Sequence, residues 1–350
     1  MNLVGDHTDY NDGFVLPVAI DRACVVAAEE APTVRVRSLE AEGTVDVAAD
    51  GSTDPASVEH EWGRYVAAVV RELAELGRPA VGMDAVLASD VPLGSGLSSS
   101  AALEVACAVA LGAVADWEAD ERTLAAACRA AEELATGVPG GIMDQLASLL
   151  GRANDALLID CRSLDVRPVP VPEGVALLAV HSGLARTLAG SAYADRRRAC
   201  ELLAAELGVP ALRDATADQV AEHPLGRHVV SENGRVLAAA RALEDGELAR
   251  FGELLLESHA SLRDDFRVST PELDLLVDEL VAAGALGARL TGAGFGGCVV
   301  AVCAADVADR VAESATARYR ERTGREPSAF HCRAVDGAGP LAASGQPRES

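Results

Sequence analysis

Apolar and polar residues alternate in short runs through the first fifty positions. The alternation predicts strands over 15–20, 24–28, 34–37 and 44–48, separated by turn formers, so the chain opens β-rich. Beyond residue 60 the period lengthens. Apolar positions at helical spacing predict a helix over 62–76, and a strand follows over 83–88. Further helices cover 124–135, closed by Gly137 and Pro139, and the stretch after Gly140 and Gly141. Strands over 156–160 and 175–180 flank Pro168, Pro170 and Pro172. That proline cluster reads as a linker and divides the chain into domains 1–166 and 167–350. The second half predicts helices over 191–207, 236–242, 248–259 and 271–283, then strands over 288–291 and 298–302 around the turn GAGFGG. A helix over 306–320 and a strand over 330–334 complete an α-β-β-α-β order, half of a ferredoxin-type sheet. The Pro/Gly/Ser-rich tail past Gly337 is expected to be loose, and no internal repeat is visible.

One stretch breaks the pattern. Residues 91–110, VPLGSGLSSSAALEVACAVA, run from a Gly/Ser-rich loop straight into an apolar run of helix formers. Gly94 and Gly96 allow positive φ and close approach, and the serines before Ala101 are the residue type that caps a first helical turn. Such a helix start attracts anions, phosphate above all, although a plain turn before a core helix fits the same letters. A Walker loop would need a lysine. The chain has none: all thirty basic residues are arginine. A nucleotide here must be held by backbone dipoles, hydroxyls, a divalent cation and arginine.

Composition narrows the function classes. At 350 residues, 49% hydrophobic and 24% charged, the chain can bury a large core and fits about two domains. Its formal net charge of −24 repels nucleic acid and anionic membranes, whereas a small anion can still bind where a helix terminus and a divalent cation reverse the local field. The longest apolar run, 105–115, is too short to span a bilayer. Asp6 and Asp9 stand where a secretory leader would carry basic residues, so a cytoplasmic location is expected. Eight cysteines without CxxC pairs read as reduced core residues, and no HExxH or other soft-ligand cage appears.

Three further stretches carry chemistry. Near the start, GDHTDYNDG gathers Asp6, His7, Asp9, Tyr10, Asn11 and Asp12, a set able to bond vicinal sugar hydroxyls or to form a solvated Asx-rich turn. Asp144 falls in the first turn of the helix after Gly140 and Gly141, where the helix dipole favours a negative charge and where acidic residues are also common on general grounds. The triplet Arg196 to Arg198 reads as a solvated face. GAGFGG matches a dinucleotide fingerprint only loosely, since it joins strand to strand rather than strand to helix.

Taken in order, GDHTDYNDG, PLGSGLSSSAA and LTGAGFGGC resemble the three motifs of the GHMP small-molecule kinases. GDHTDYNDG is similar to the galactokinase signature within that superfamily, as are GIMDQ, LLIDCRSL and SHASLRDDF, so the resemblance covers nearly the whole chain. It implies an α+β, two-domain GHMP kinase fold: an N-terminal mixed β-sheet with helices and a C-terminal ferredoxin-like antiparallel sheet with helices. It also implies ATP-dependent phosphorylation of the anomeric hydroxyl of galactose, with Mg²⁺; a monomer is expected. Carried over by position, phosphates lie against Gly94, Ser95, Gly96, Leu97, Ser98, Ser99 and Ser100, with Ser100 and Glu132 as Mg²⁺ ligands. Asp144 matches the catalytic aspartate, acting as base or as positioning group. Asp6, His7, Asp9, Gly141 and Tyr193 match sugar contacts, and Asp6 stands where the family more often has Glu. Trp62 matches an aromatic near the adenine, and it fits the core equally well. The family's PGR arginine lies two positions before the residue matching Asn2. The resemblance therefore implies that a helix and strand ending in that arginine precede Met1, read as Met from a GTG codon. Two alternatives stay open: another GHMP sugar kinase, for an amino sugar or a pentose, and a non-catalytic galactose sensor.

Overall fold

The computed structural model describes residues 1–92, 94–184 and 189–341. Along the chain run β1 (Asn2–Val4), β2 (Phe14–Pro17), β3 (Cys24–Ala31), β4 (Thr33–Ser38), β5 (Thr44–Ala48), α1 (Glu61–Glu75) and β6 (Gly82–Ser89). Then come α2 (Ser99–Val114), α3 (Glu121–Thr136), α4 (Met143–Leu150), β7 (Asp155–Asp160), β8 (Asp165–Pro170) and β9 (Val175–His181). Four helices follow, α5 (Ala189–Leu207), α6 (Pro224–Glu244), α7 (Leu248–Ser261) and α8 (Pro271–Ala283), and then β10 (Gly287–Leu290), β11 (Cys298–Ala304), α9 (Ala308–Thr323) and β12 (Ser328–Cys332).

Among the described residues the strands form three four-stranded sheets. The first, in order β3-β6-β4-β5, is mixed because β4 runs parallel to β6 while its other pairs are antiparallel. Its inner face packs with α1, α2 and α3 around Val34, Val36, Leu73, Met83 and Leu111. The antiparallel sheet β10-β11-β9-β12 has the strand order of a ferredoxin-like fold, and Leu178, Val180, Val299 and Ala301 face Leu276, Leu280 and Val311 from α8 and α9. All eight cysteines are free, and seven are buried. No helix of the described residues is long and apolar enough to cross a membrane.

The third sheet, β1-β2-β7-β8, departs from expectation. Pro168 and Pro170, expected in a linker, lie in β8. They are tolerated because β8 is an edge strand, whose missing N–H groups need no partner on the open side. The boundary expected at 166/167 therefore falls inside a strand. Helix α6 is also far longer than the expected 236–242. Its first half carries buried His228, Glu232 and Asn233, which hides the apolar period, and these side chains serve the first loop. Glu232 accepts from the Gly5 N–H at 3.0 Å, Asn233 accepts from the Phe14 N–H at 2.8 Å, and His228 Nε2 lies 3.1 Å from the Asp6 carbonyl.

Candidate active site

The loop before α2 folds on one buried hydroxyl. Ser95 Oγ donates to the Pro92 carbonyl at 2.7 Å and accepts the Leu97 N–H at 3.2 Å, while Gly94 and Gly96 take positive φ values of 66° and 86°. Ser98 occupies the N-cap of α2, and it makes no capping hydrogen bond. This corrects the expectation that serines cap the helix: a capping side chain needs an extended backbone, and Ser98 is left-handed at φ 66°. The first-turn N–H groups are left without a side-chain cap, the condition in which a helix N-terminus accepts an anion.

Ser100 is engaged elsewhere. Its Oγ donates to Glu132 Oε1 at 2.7 Å, and Gln145 Nε2 donates to Glu132 Oε2 at 3.1 Å and to Glu104 Oε2 at 3.0 Å. Helices α2, α3 and α4 thus meet at one polar knot, in which burial pushes the Glu132 and Glu104 carboxyls above the ordinary range. Among the described residues no group of three His, Cys, Asp or Glu is assembled that could hold a metal by itself. A hydroxyl and one carboxylate are the hard-oxygen pair that suits Mg²⁺, an ion that fills its remaining positions with phosphate and water.

The GDHTDYNDG loop, leading from β1 to β2, is built around Thr8, whose hydroxyl bridges the Gly5 and Phe14 carbonyls at 2.7 Å each. His7 sits in the left-handed region at φ 64°, an uncommon conformation for histidine, and is buried. Its Nε2 faces the Ala293 carbonyl at 3.2 Å, so that nitrogen carries the proton and Nδ1 accepts from the Tyr10 hydroxyl at 2.8 Å. Burial lowers its pKa to about 3, and the ring stays neutral. Asp6, also buried, pairs with Arg289 and accepts the Gly292 N–H at 3.0 Å. Asp6 and His7, expected as sugar contacts, thus have protein partners as well. Their polar atoms already tie the first motif to the glycine turn of the third.

Asp9 is different. It is half-buried, and a Cβ added to Gly141 would lie 1.6 Å from Asp9 Oδ2, so the carboxylate rests directly on the glycine. Burial, and then the neighbouring charge of Asp144, raise the Asp9 pKa to about 7. Asp144 stands in the first turn of α4, partly exposed. Tyr193 closes this end: its hydroxyl faces the Gly141 backbone, and its ring lies 5.4 Å from Tyr10 and 5.6 Å from His7. Trp62, in the first turn of α1, packs half-buried against the core and donates Nε1–H to the Glu42 carbonyl at 3.2 Å near the surface.

Arg197 was expected on a solvated face. Instead its guanidinium donates to the Gly140 carbonyl at 3.0 Å and lies 5.9 Å from the Tyr10 ring centre. A charge run gives no hint of which member turns inward. Arg289, Glu104 and Gln145 escaped notice as well, although a lone arginine in the strand GARL and a lone acid in ALEVACAVA are charges inside apolar runs, and such charges need a buried partner.

Residues 64–152 match the GHMP kinases N terminal domain, residues 239–321 the GHMP kinases C terminal domain, and residues 1–30 the galactokinase galactose-binding signature. The galactokinase of Roseiflexus sp. (strain RS-1) is 45% identical over 367 aligned positions, which span 100% of this chain and 93% of that protein. The chain belongs to the galactokinase family. A crystal structure of Lactococcus lactis galactokinase complexed with galactose superposes with a TM-score of 0.90 at 30% identity, covering 97% of this chain and 92% of that one. The Methanococcus jannaschii mevalonate kinase shares the fold, with a TM-score of 0.70 at 16% identity and 96% of each chain covered. In this galactokinase-family chain the signature of residues 1–30 contains Asp6, His7 and Asp9, and the N-terminal domain match runs from α1 to the end of α4.

Proposed function

We infer that this chain is a galactokinase, transferring the γ-phosphate of ATP to the anomeric hydroxyl of D-galactose to give galactose 1-phosphate and ADP. The observation that carries the reading is the seat of Asp9, within the galactose-binding signature, directly on Gly141 just before the helix whose first turn bears Asp144. Asp9 and Tyr193 receive the sugar, with Asp6 and His7 holding the loop in shape from behind. Asp144 orients the anomeric hydroxyl and accepts its proton as the P–O bond forms. Phosphoryl transfer asks a protein mainly for alignment and charge stabilisation, and the uncapped N–H groups of α2 supply fixed dipoles for the phosphates.

Ser100 and Glu132 would hold Mg²⁺, which when bound neutralises charge on the transferring phosphates. Residues 94–99 cradle those phosphates, and Trp62 flanks the adenine. The enzyme works as a cytoplasmic monomer, its N-terminal domain passing into the C-terminal one after β8. A panel of hexoses, amino sugars and pentoses in a coupled ADP-release assay tests the reading. Galactose should give the highest kcat/KM. Preference for an amino sugar or a pentose would overturn it, and galactose binding without ADP release would favour a sensor.

A further inference from the structure

Gln145 has a part that the proposed chemistry does not use. It is fully buried, follows Asp144 directly and gives its one amide nitrogen to two carboxyls, Glu132 Oε2 at 3.1 Å and Glu104 Oε2 at 3.0 Å. Glu104 is itself fully buried, one turn along α2 from Ser100. Among the described residues no cation pairs with it: its Oε2 bonds only Gln145, and its Oε1 has no hydrogen-bond partner. A carboxyl so placed is expensive to bury, and a plain helix contact would be made more cheaply by an apolar pair. What the arrangement achieves is orientation. With Oε2 of Glu132 fixed by Gln145, its Oε1 is turned to Ser100 Oγ, 2.7 Å away, and that edge is the one the proposed cation would meet.

Resting on the reading of Ser100 and Glu132 as Mg²⁺ ligands, we propose that Gln145 and Glu104 are positioning residues for this metal site. Glu104 anchors the Gln145 amide, and the amide locks the Glu132 carboxylate in the rotamer that faces Ser100. The chain of contacts acts as a unit: removing either member frees the same carboxylate. Partners behind a metal ligand commonly contribute about 10- to 100-fold to metal affinity.

The test measures Mn²⁺ binding, by the loss of its free-ion paramagnetic resonance signal, to the whole protein with a non-hydrolysable ATP analogue, alongside thermal melting of each variant. Gln145→Ala and Glu104→Ala should each weaken Mn²⁺ binding about tenfold or more. The double variant should be no weaker than Gln145→Ala alone. Glu104→Gln keeps an acceptor for the amide and fills the same volume, so it should bind Mn²⁺ within about threefold of the parent protein, and it stands in for Glu104→Ala if that variant melts early. Mn²⁺ affinity unchanged in a well-folded Gln145→Ala, or losses that multiply in the double variant, would overturn the proposal. Glu132→Ala separates the two layers. If it leaves Mn²⁺ binding intact, the ligand assignment itself fails; if it abolishes binding while Gln145→Ala does not, only the positioning role fails.

Discussion

Asp9 lies so close over Gly141 that no side chain fits between them: a Cβ on the glycine would stand 1.6 Å from one carboxylate oxygen and 2.8 Å from the other. The first motif and the start of α4 are thus locked face to face. Gly141→Ala should push Asp9 off its seat and raise the KM for galactose about 10- to 100-fold, the loss expected when a sugar hydroxyl gives up a buried charged partner. ATP affinity should stay within experimental error. A normal galactose KM in Gly141→Ala would remove Asp9 from the sugar site.

Asp144→Asn keeps the shape of the side chain and removes its ability to take a proton. The expected result is a kcat lower by about 10²- to 10⁴-fold, with ATP binding measured by calorimetry nearly unchanged. Turnover close to the parent value would assign Asp144 a structural place at the start of α4.

Metal dependence separates two neighbouring acids on α3. Glu132 accepts from Ser100 inside the knot, whereas Glu133 pairs loosely with Arg129 at 3.9 Å on the surface, a contact of little worth. Ser100→Ala and Glu132→Ala should each raise the Mg²⁺ concentration needed for half-maximal rate, and Glu133→Ala should leave it unchanged. Equal shifts at Glu132 and Glu133 would show that the ligand has been misassigned.

The raised pKa of Asp9, about 7, makes a prediction with a definite sign. Between about pH 4 and 7 the folded chain keeps a proton on Asp9 that the unfolded chain has released, so this group's contribution to stability is full below that window and is lost as pH rises through it. Sugar hydroxyls donate to the ionised form. Galactose affinity should therefore climb as pH rises toward 7 and level off above it, and Asp9→Asn should flatten the profile. A parent profile that is flat over the same range would mean that Asp9 is already ionised at about pH 5.

Much of this was legible in the order of residues, and what escaped has a common cause. The mixed sheet, the ferredoxin-like tail and the three motifs show as periodicity and punctuation, because their apolar faces meet apolar partners. The sheet β1-β2-β7-β8 was hidden by prolines, whose edge placement is a tertiary fact, and the first half of α6 by polar residues that bond to backbone more than two hundred positions away. In the site, residue types foretold which side chains would gather. They did not foretell that Asp6 would turn to Arg289, His7 to Ala293 and Arg197 to Gly140, since each of these choices depends on the approach of a distant turn.

The anchoring of the first loop also fixes an order of events during synthesis. Asp6 and Gly5 leave the ribosome long before their partners, since Arg289 and Glu232 arrive 283 and 227 positions later. The knot of α2, α3 and α4 closes over spans of 13 to 41 residues and can be complete long before. Local contacts form early and distant ones late. A nascent chain whose α4 has emerged can therefore already assemble its phosphate-side framework, while its sugar loop waits for distant partners from His228 to Ala293 to be made.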